Sequence, residues 1–176
     1  MKCPRTHTEL KEITIKNIQI DISEACGGVW FDRFELEKFD ESHEVAGDEL
    51  IEHLEKFEDP ATDLSKKIKC PRCPDVAMQR HFFSVKKGVE IDECPQCAGV
   101  WLDPGELKRI REEYPSEKER IADGEKYLEE VIANSGFKTE ESNNVQSDTK
   151  DRSVFYHLFQ LMRPKALKDQ KDELDI

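Results

Sequence analysis

Residues 91–103 read IDECPQCAGVWLD, and residues 20–32 read IDISEACGGVWFD; the two stretches align without a gap. Upstream of each, the tetrapeptide KCPR occurs, at residues 69–72 and at residues 2–5. The interval between the matched blocks is four residues longer in the second copy. An internal repeat of this kind predicts two copies of one structural unit in tandem.

Each copy has the pattern of a β-hairpin between two short loops, followed by a helix. Apolar and β-branched residues indicate strands at 9–15 and 18–22 in the first copy, and at 78–85 and 89–92 in the second. An aspartate followed three residues later by a glutamate marks each helix start, at Asp32 and Asp103. The pattern predicts a small α+β fold of two ribbon units with additional helices.

Four cysteines in the second copy have the spacing of metal ligands. They form two C-x-x-C pairs, Cys70 with Cys73 and Cys94 with Cys97. Four thiolates that close a tetrahedron are a common ligand set for structural zinc. A rubredoxin-like iron site needs the same four sulfurs and stays an alternative. Disulfides and a thioredoxin-like redox pair are disfavoured, because we expect a reducing compartment and the two pairs flank a hairpin.

The first copy has lost two of these cysteines, since Thr6 and Ser23 stand in their places. Two histidines lie near enough in sequence to replace them. The predicted ligands of this second zinc site are Cys3, His7, Cys26 and His43. His53 is an alternative fourth ligand, and a three-ligand version would leave one coordination position open. The competing interpretation is that this copy binds no metal and is held together by packing.

The remaining sequence divides by composition and apolar periodicity. The predicted units are a first ribbon at 1–43, a helix and linker at 44–65, a second ribbon at 66–113, a helix at 114–136, a disordered linker at 137–152, and an amphipathic helix and tail at 153–176. The linker at 137–152 is polar and nearly without large apolar residues, as in disordered segments. The apolar stripe at 154–162 predicts a helix that docks on the ribbons, on a partner or on a membrane surface.

The charge balance restricts the classes of partner. The 176 residues carry a net charge of −12, and only residues 60–113 approach neutrality, with 10 basic and 9 acidic side chains. An acidic chain disfavours general nucleic-acid binding, which depends on basic side chains that neutralise phosphates. The sequence shows no signal peptide and no apolar run of membrane-spanning length, so we expect a cytoplasmic protein.

Residues 68–110 resemble the transcription-factor-IIB type zinc-ribbon family, a group of small and mostly bacterial proteins. The resemblance rests on Cys-Pro-x-Cys at 70–73 and on the run from Ile91 through Asp103 to Leu107. It implies one zinc ion on Cys70, Cys73, Cys94 and Cys97. Residues 1–40 resemble a degenerate copy, in which Thr6 and Ser23 depart from the family pattern.

Three functional hypotheses follow. The first is a zinc-binding module without enzymatic activity that binds a protein partner, in transcription or another macromolecular assembly. The second is nucleic-acid binding by the basic residues of the second ribbon: Lys66, Lys67, Lys69, Arg72, Arg80, Lys86 and Lys87. The third is a metal or redox protein with an iron site of four cysteines, or with an open zinc site in the first copy.

Overall fold

The computed structural model describes residues 1–41, 43–57 and 61–135, which form a small α+β fold with an antiparallel sheet and three helices. The strands are β1 Lys11–Ile15, β2 Ile18–Ile22, β3 Val29–Phe31, β4 Gln79–Phe82, β5 Glu90–Glu93 and β6 Val100–Leu102. The helices are α1 Val45–Leu54, α2 Glu106–Glu113 and α3 Glu117–Ser135. The described residues divide into two compact units, 1–116 and 117–135. The linker and helix predicted at 137–152 and 153–176 lie outside the described residues.

Both predicted hairpins are present. In the first, β1 pairs with β2 and Ile15 lies opposite Ile18, so Lys16 and Asn17 form the two-residue turn. Both turn residues have positive φ, 46° and 68°, as a type I′ turn requires. In the second, β4 pairs with β5 in antiparallel register. Hydrophobic patterning and turn chemistry therefore account for these four strands.

Two short strands that the sequence patterns do not indicate join the copies into one sheet. Strands β3 and β6 follow the second loop of each copy and pair with each other, antiparallel. The resulting sheet has the order β1-β2-β3-β6-β5-β4. Trp30 lies directly opposite Trp101 in this pairing. The first 116 residues therefore form one compact unit in which the two ribbons share a sheet.

The tryptophans and two glycines form a reciprocal contact across this pairing. A Cβ atom on Gly28 would lie 2.3 Å from the Trp101 indole, and one on Gly99 would lie 2.1 Å from the Trp30 indole. Each indole therefore packs on the backbone of the other copy. Both tryptophans are almost fully buried and cluster with the cysteines, so their role is packing beside the second loop of each copy.

A buried arginine connects the second copy to the segment that follows the first. The Arg111 guanidinium on α2 donates to the backbone carbonyls of Phe39, Glu41 and Glu44 and to the carboxylate of Asp48. In a longer helix, these carbonyls would accept backbone N–H groups of that helix, but here they accept hydrogen bonds from Arg111. The helix predicted after Asp32 is only a 3₁₀ turn at Leu36–Lys38.

Replacing Gly28 or Gly99 with alanine tests the reciprocal tryptophan contact. We expect each substitution to lower the free energy of unfolding by about 1–3 kcal/mol, because the added methyl group displaces a buried indole. The measurement is urea unfolding followed by tryptophan fluorescence. Gly88→Ala is the matched control, since its methyl group meets the flexible end of the Glu113 side chain. Equal stability of all three variants would contradict the contact.

Candidate metal centre

The four cysteines of the second copy come together at one point. Cys70 and Cys73 lie in the loop before β4, and Cys94 and Cys97 lie between β5 and β6. Their four sulfur atoms all lie within 4.8 Å of one another, and Cys70 Sγ is 3.7 Å from Cys97 Sγ. A tetrahedral ion with Zn–S bonds of about 2.3 Å places its sulfurs about 3.8 Å apart. The cluster therefore fits zinc.

Backbone amides of the two loops point at the sulfurs. The Cys73 N–H donates to Cys70 Sγ over 3.2 Å. Burial raises the pKa of the Cys70 and Cys73 thiols. Burial also opposes ionisation of Cys94, but N–H donation from Cys97 and Gln96 outweighs it and lowers the pKa of that thiol. Such amide donors stabilise thiolates and orient them toward an ion.

The donor set determines what an ion at this centre would do. Four protein sulfurs fill a tetrahedron, so zinc here would hold the loops together and would have no position for a water or a substrate. Such an ion would stabilise a unit whose own apolar core is small. The same four sulfurs also suit iron, so the iron alternative stays open.

Reciprocal ion pairs tie the first loop of each copy to the other copy. Arg72, between the ligands Cys70 and Cys73, donates to Asp32 of the first copy over 2.7 Å. Arg5, its counterpart, donates to both carboxylate oxygens of Asp103 in the second copy. The same two aspartates accept the N–H groups of the tryptophan indoles two residues earlier. The first loop of each ribbon is therefore held by an aspartate of the other ribbon.

The two ion pairs differ in burial. The Arg5 side chain is 1 % exposed and also reaches Asp92, which Arg80 contacts from β4. Arg72 and Asp32 are about half exposed. In the first copy, Glu12 stands opposite Asp21, and burial raises the pKa of Asp21. The ion pairs of Arg5 and Arg80 with Asp92 and Asp103 therefore form a buried network, whereas the Arg72–Asp32 pair is open to solvent.

The first copy brings its two cysteines together but not its histidines. Cys3 Sγ is 3.7 Å from Cys26 Sγ, and both residues are fully buried. His7 is exposed, and the side chain of His43, 70 % exposed, pairs with Glu41 over 3.1 Å. His53 packs against Phe57. In the described ranges, Cys70, Cys73, Cys94 and Cys97 form the only group of three or more close ligating atoms. The second zinc ion therefore stays a prediction, and the structure does not assemble its four proposed ligands.

The loop geometry of the first copy survives without its two lost ligands. The Ser23 N–H donates to Gly28 and the Gly27 N–H to Ser23, matching the bonds around Cys94. Ser23 Oγ is buried close to both sulfurs and has no hydrogen bond of normal geometry among the described residues. The hydrogen bond between the two thiols lowers the pKa of Cys3 to about 5 and raises that of Cys26. Cys3 also lines the groove between the first loops of the two ribbons.

Most basic residues proposed for nucleic-acid binding have partners inside the chain. Lys66 pairs with Asp63, Lys69 with Asp75, Arg72 with Asp32, and Arg80 with Asp92, while Lys86 lies over the Tyr114 ring. Only Lys67 and Lys87 of this set are without a partner that the described residues provide. The second ribbon therefore presents less free positive charge than its sequence indicates.

The shared sheet, the paired loops and the four-thiol centre define a double zinc ribbon. Residues 2–41 and 69–113 both match the family described as transcription factor zinc-finger, the transcription-factor-IIB type zinc ribbon, so each of the two ribbons is a match to this family. This match confirms the resemblance seen in the sequence, including the degenerate first copy. Comparisons with curated proteins and with solved structures give no match. Within the described ranges, no helix has the length and apolarity to cross a membrane.

Cys94→Ser tests the metal centre. We expect loss of one bound zinc ion per chain and unfolding of the second ribbon, because structural zinc contributes about 10–16 kcal/mol of apparent binding free energy at neutral pH. Zinc content by elemental analysis and circular dichroism measure the two effects. Cys26→Ser, at a first-copy thiol, is the control that keeps this ion. Full zinc content in Cys94→Ser would rule out the assigned ligand set.

Glu106 predicts a pH dependence of stability. Its carboxylate accepts the Asp103 N–H, and burial raises its pKa from 4.5 to about 7. The folded chain retains the Glu106 proton to higher pH than the unfolded chain does. The contribution of this protonation to the free energy of unfolding is therefore complete below about pH 4.5 and is lost as the pH rises through 7. Glu106→Gln removes this loss, so the free energy difference between variant and wild type should shift in favour of the variant between about pH 5.5 and 8. Urea unfolding of the zinc-loaded protein at each pH measures this free energy difference. Glu112→Gln, at an exposed glutamate, is the matched control for the change of charge.

Proposed function

We propose that this protein is a cytoplasmic interaction module without enzymatic activity, in which zinc holds the fold and an adjoining groove binds an acidic segment of a protein partner. The four-sulfur centre supports the structural role of the metal, since its coordination positions are filled by the chain itself. The family description favours a partner within the transcription machinery. The groove next to the metal loop carries the proposal.

The groove has a volume of about 800 Å³ and lies between the first loops of the two ribbons and the segment that leads into the second. Its charged lining consists of Lys2, Arg5, Lys66, Lys67 and Lys69, with one acid, Asp63; His7 lies at the same wall. This basic lining contrasts with a chain of net charge −12. Arg5, Lys66 and Lys69 already pair with acids of the chain. Lys2 and Lys67 are exposed and lack a partner within the described ranges, so they are available to a bound carboxylate.

The groove fits an acidic peptide better than a nucleic acid. Its other lining residues are His7, two cysteines, prolines, isoleucine and small residues, with no phenylalanine, tyrosine or tryptophan on which a base would stack. Two available lysines neutralise only a short run of negative charge, and the acidic residues of the rest of the chain repel a long polyanion. A few carboxylates on an extended segment match both the charge and the volume.

Photo-crosslinking tests the proposal without a named partner. A photoreactive residue at Thr62, inside the groove, should form an adduct with a protein in cells, whereas the same residue at the exposed Lys38 should not. Mass spectrometry of the adduct identifies the partner and the segment that is bound. An adduct sensitive to nuclease would favour the nucleic-acid function, and equal labelling from both positions would contradict a groove-specific partner.

Charge reversal at Lys2 and Lys67 provides the quantitative prediction. The double variant Lys2→Glu with Lys67→Glu should lower the yield of the Thr62 adduct about tenfold, equivalent to about 1.4 kcal/mol of binding free energy. The matched control is Lys38→Glu with Lys56→Glu, which changes the net charge equally at exposed positions outside the groove. An equal loss in both double variants would indicate a general charge effect and would overturn the groove assignment.

A further inference from the structure

The first ribbon retains a pair of thiols, Cys3 and Cys26, beside which the described residues do not assemble the predicted histidine ligands. Cys3 and Cys26 occupy the repeat positions of Cys70 and Cys97, and the sulfur atoms of both pairs are 3.7 Å apart. In the second ribbon two further sulfurs complete a tetrahedron. In the first ribbon Thr6 and Ser23 occupy those positions, and the described residues place no third sulfur or imidazole beside the pair.

The surroundings of the pair favour a thiolate at Cys3. The Thr6 N–H lies 3.4 Å from Cys3 Sγ and donates to it. Ser23 Oγ, in a residue that is fully buried, lacks a normal hydrogen-bond partner among the described residues and lies close to both sulfurs. A hydroxyl in this position can donate to a sulfur anion, whereas it contributes little beside an aliphatic core. The pair therefore has one amide donor and one buried hydroxyl beside it.

The neighbouring backbone holds both cysteines in a ribbon geometry that suits a covalent cross-link. The Cys3 N–H donates to Thr8, and the loop that carries Cys26 keeps both bonds of a metal-binding loop. The two sulfurs are already in contact and need to approach by roughly 1.7 Å more to reach the disulfide bond length. A disulfide needs two sulfurs only, whereas zinc needs four ligands. The two sulfurs that the described residues bring together are enough for a disulfide and too few for a zinc site.

We propose that Cys3 and Cys26 are an oxidisable dithiol, which a peroxide closes to a disulfide while the zinc centre stays intact. The Cys3 thiolate attacks one oxygen of hydrogen peroxide, giving a sulfenic acid at Cys3 and hydroxide, which takes up a proton. Cys26 sulfur then attacks Cys3 sulfur; the S–S bond forms and water leaves. In total, two thiols and one hydrogen peroxide give one disulfide and two waters, and two electrons pass from sulfur to peroxide.

The cross-link would hold the first ribbon together at the place where the second ribbon has its four-sulfur centre. It connects residues 23 positions apart and encloses the whole β1–β2 hairpin. Closing that loop restricts the unfolded chain, so the oxidised protein should melt at a higher temperature than the reduced one. The zinc-bound thiolates of the second ribbon are occupied by their ion and are slower nucleophiles than a free thiolate.

The test is limited oxidation of the zinc-loaded full chain. One equivalent of hydrogen peroxide is added, remaining thiols are alkylated under denaturing conditions, and peptides are mapped by mass spectrometry. We expect two of the six cysteines to resist alkylation, joined as Cys3–Cys26, with all zinc retained and full recovery of thiols in dithiothreitol. Oxidation of Cys70, Cys73, Cys94 or Cys97 first, with release of zinc, would overturn the proposal. So would reduced Cys3 and Cys26 after treatment, or protection of the pair by a second bound zinc ion.

Single variants separate the two chemical steps. Cys26→Ser should accumulate a sulfenic acid at Cys3 that dimedone labels, because no second thiol resolves it. Cys3→Ser should show no such adduct at Cys26 and no disulfide within the first ribbon. Equal dimedone labelling of both variants would contradict Cys3 as the attacking sulfur. The peptide map of the wild-type chain tests the cross-link itself, even where a variant folds poorly.

Discussion

The antiparallel pairing of β3 with β6 makes one structure out of two small units. It sets Trp30 opposite Trp101 and packs each indole on a glycine of the other copy, Gly99 and Gly28. Neither ribbon has a core large enough to be secure alone. The pairing supplies a shared buried cluster in which the two tryptophans and the cysteines are neighbours. Metal binding in the second copy and packing in the first therefore stabilise the same sheet.

Arginine side chains also connect the two copies outside the sheet. Arg5 and Arg72 extend from the first loop of each copy to an aspartate of the other, and Arg111 binds the chain that leaves the first copy. The Arg5 pair is buried and the Arg72 pair is exposed, so the same motif differs in energy between its two positions. The exposed arginine lies between two metal ligands. The metal loop is thus joined to Asp32 of the first copy by a pair that solvent can reach.

The sequence was sufficient to predict what depends on local spacing. The C-x-x-C pairs located the four-sulfur centre, and alternating residues with a two-residue turn located the hairpins. Strands β3 and β6 escaped prediction because three consecutive buried residues, as at 29–31, have no alternation to read. Their pairing joins residues about 70 positions apart, and no local signal reports it. The sequence could not place His43, because Arg111 of α2 binds the neighbouring carbonyls of Phe39, Glu41 and Glu44, and backbone carbonyls carry no sequence signature.

The reciprocal contact also has the form of a dimer interface. Trp30 faces its equivalent Trp101, and the two flanking pairs are reciprocal, as they are when two identical subunits meet about a two-fold axis. In a homodimer every substitution appears on both sides of that axis. Joining the two halves in one polypeptide removes this restriction, so one half can keep four ligands while the other exchanges two of them for Thr6 and Ser23. Covalent fusion is the condition under which a symmetric scaffold can divide labour between its halves.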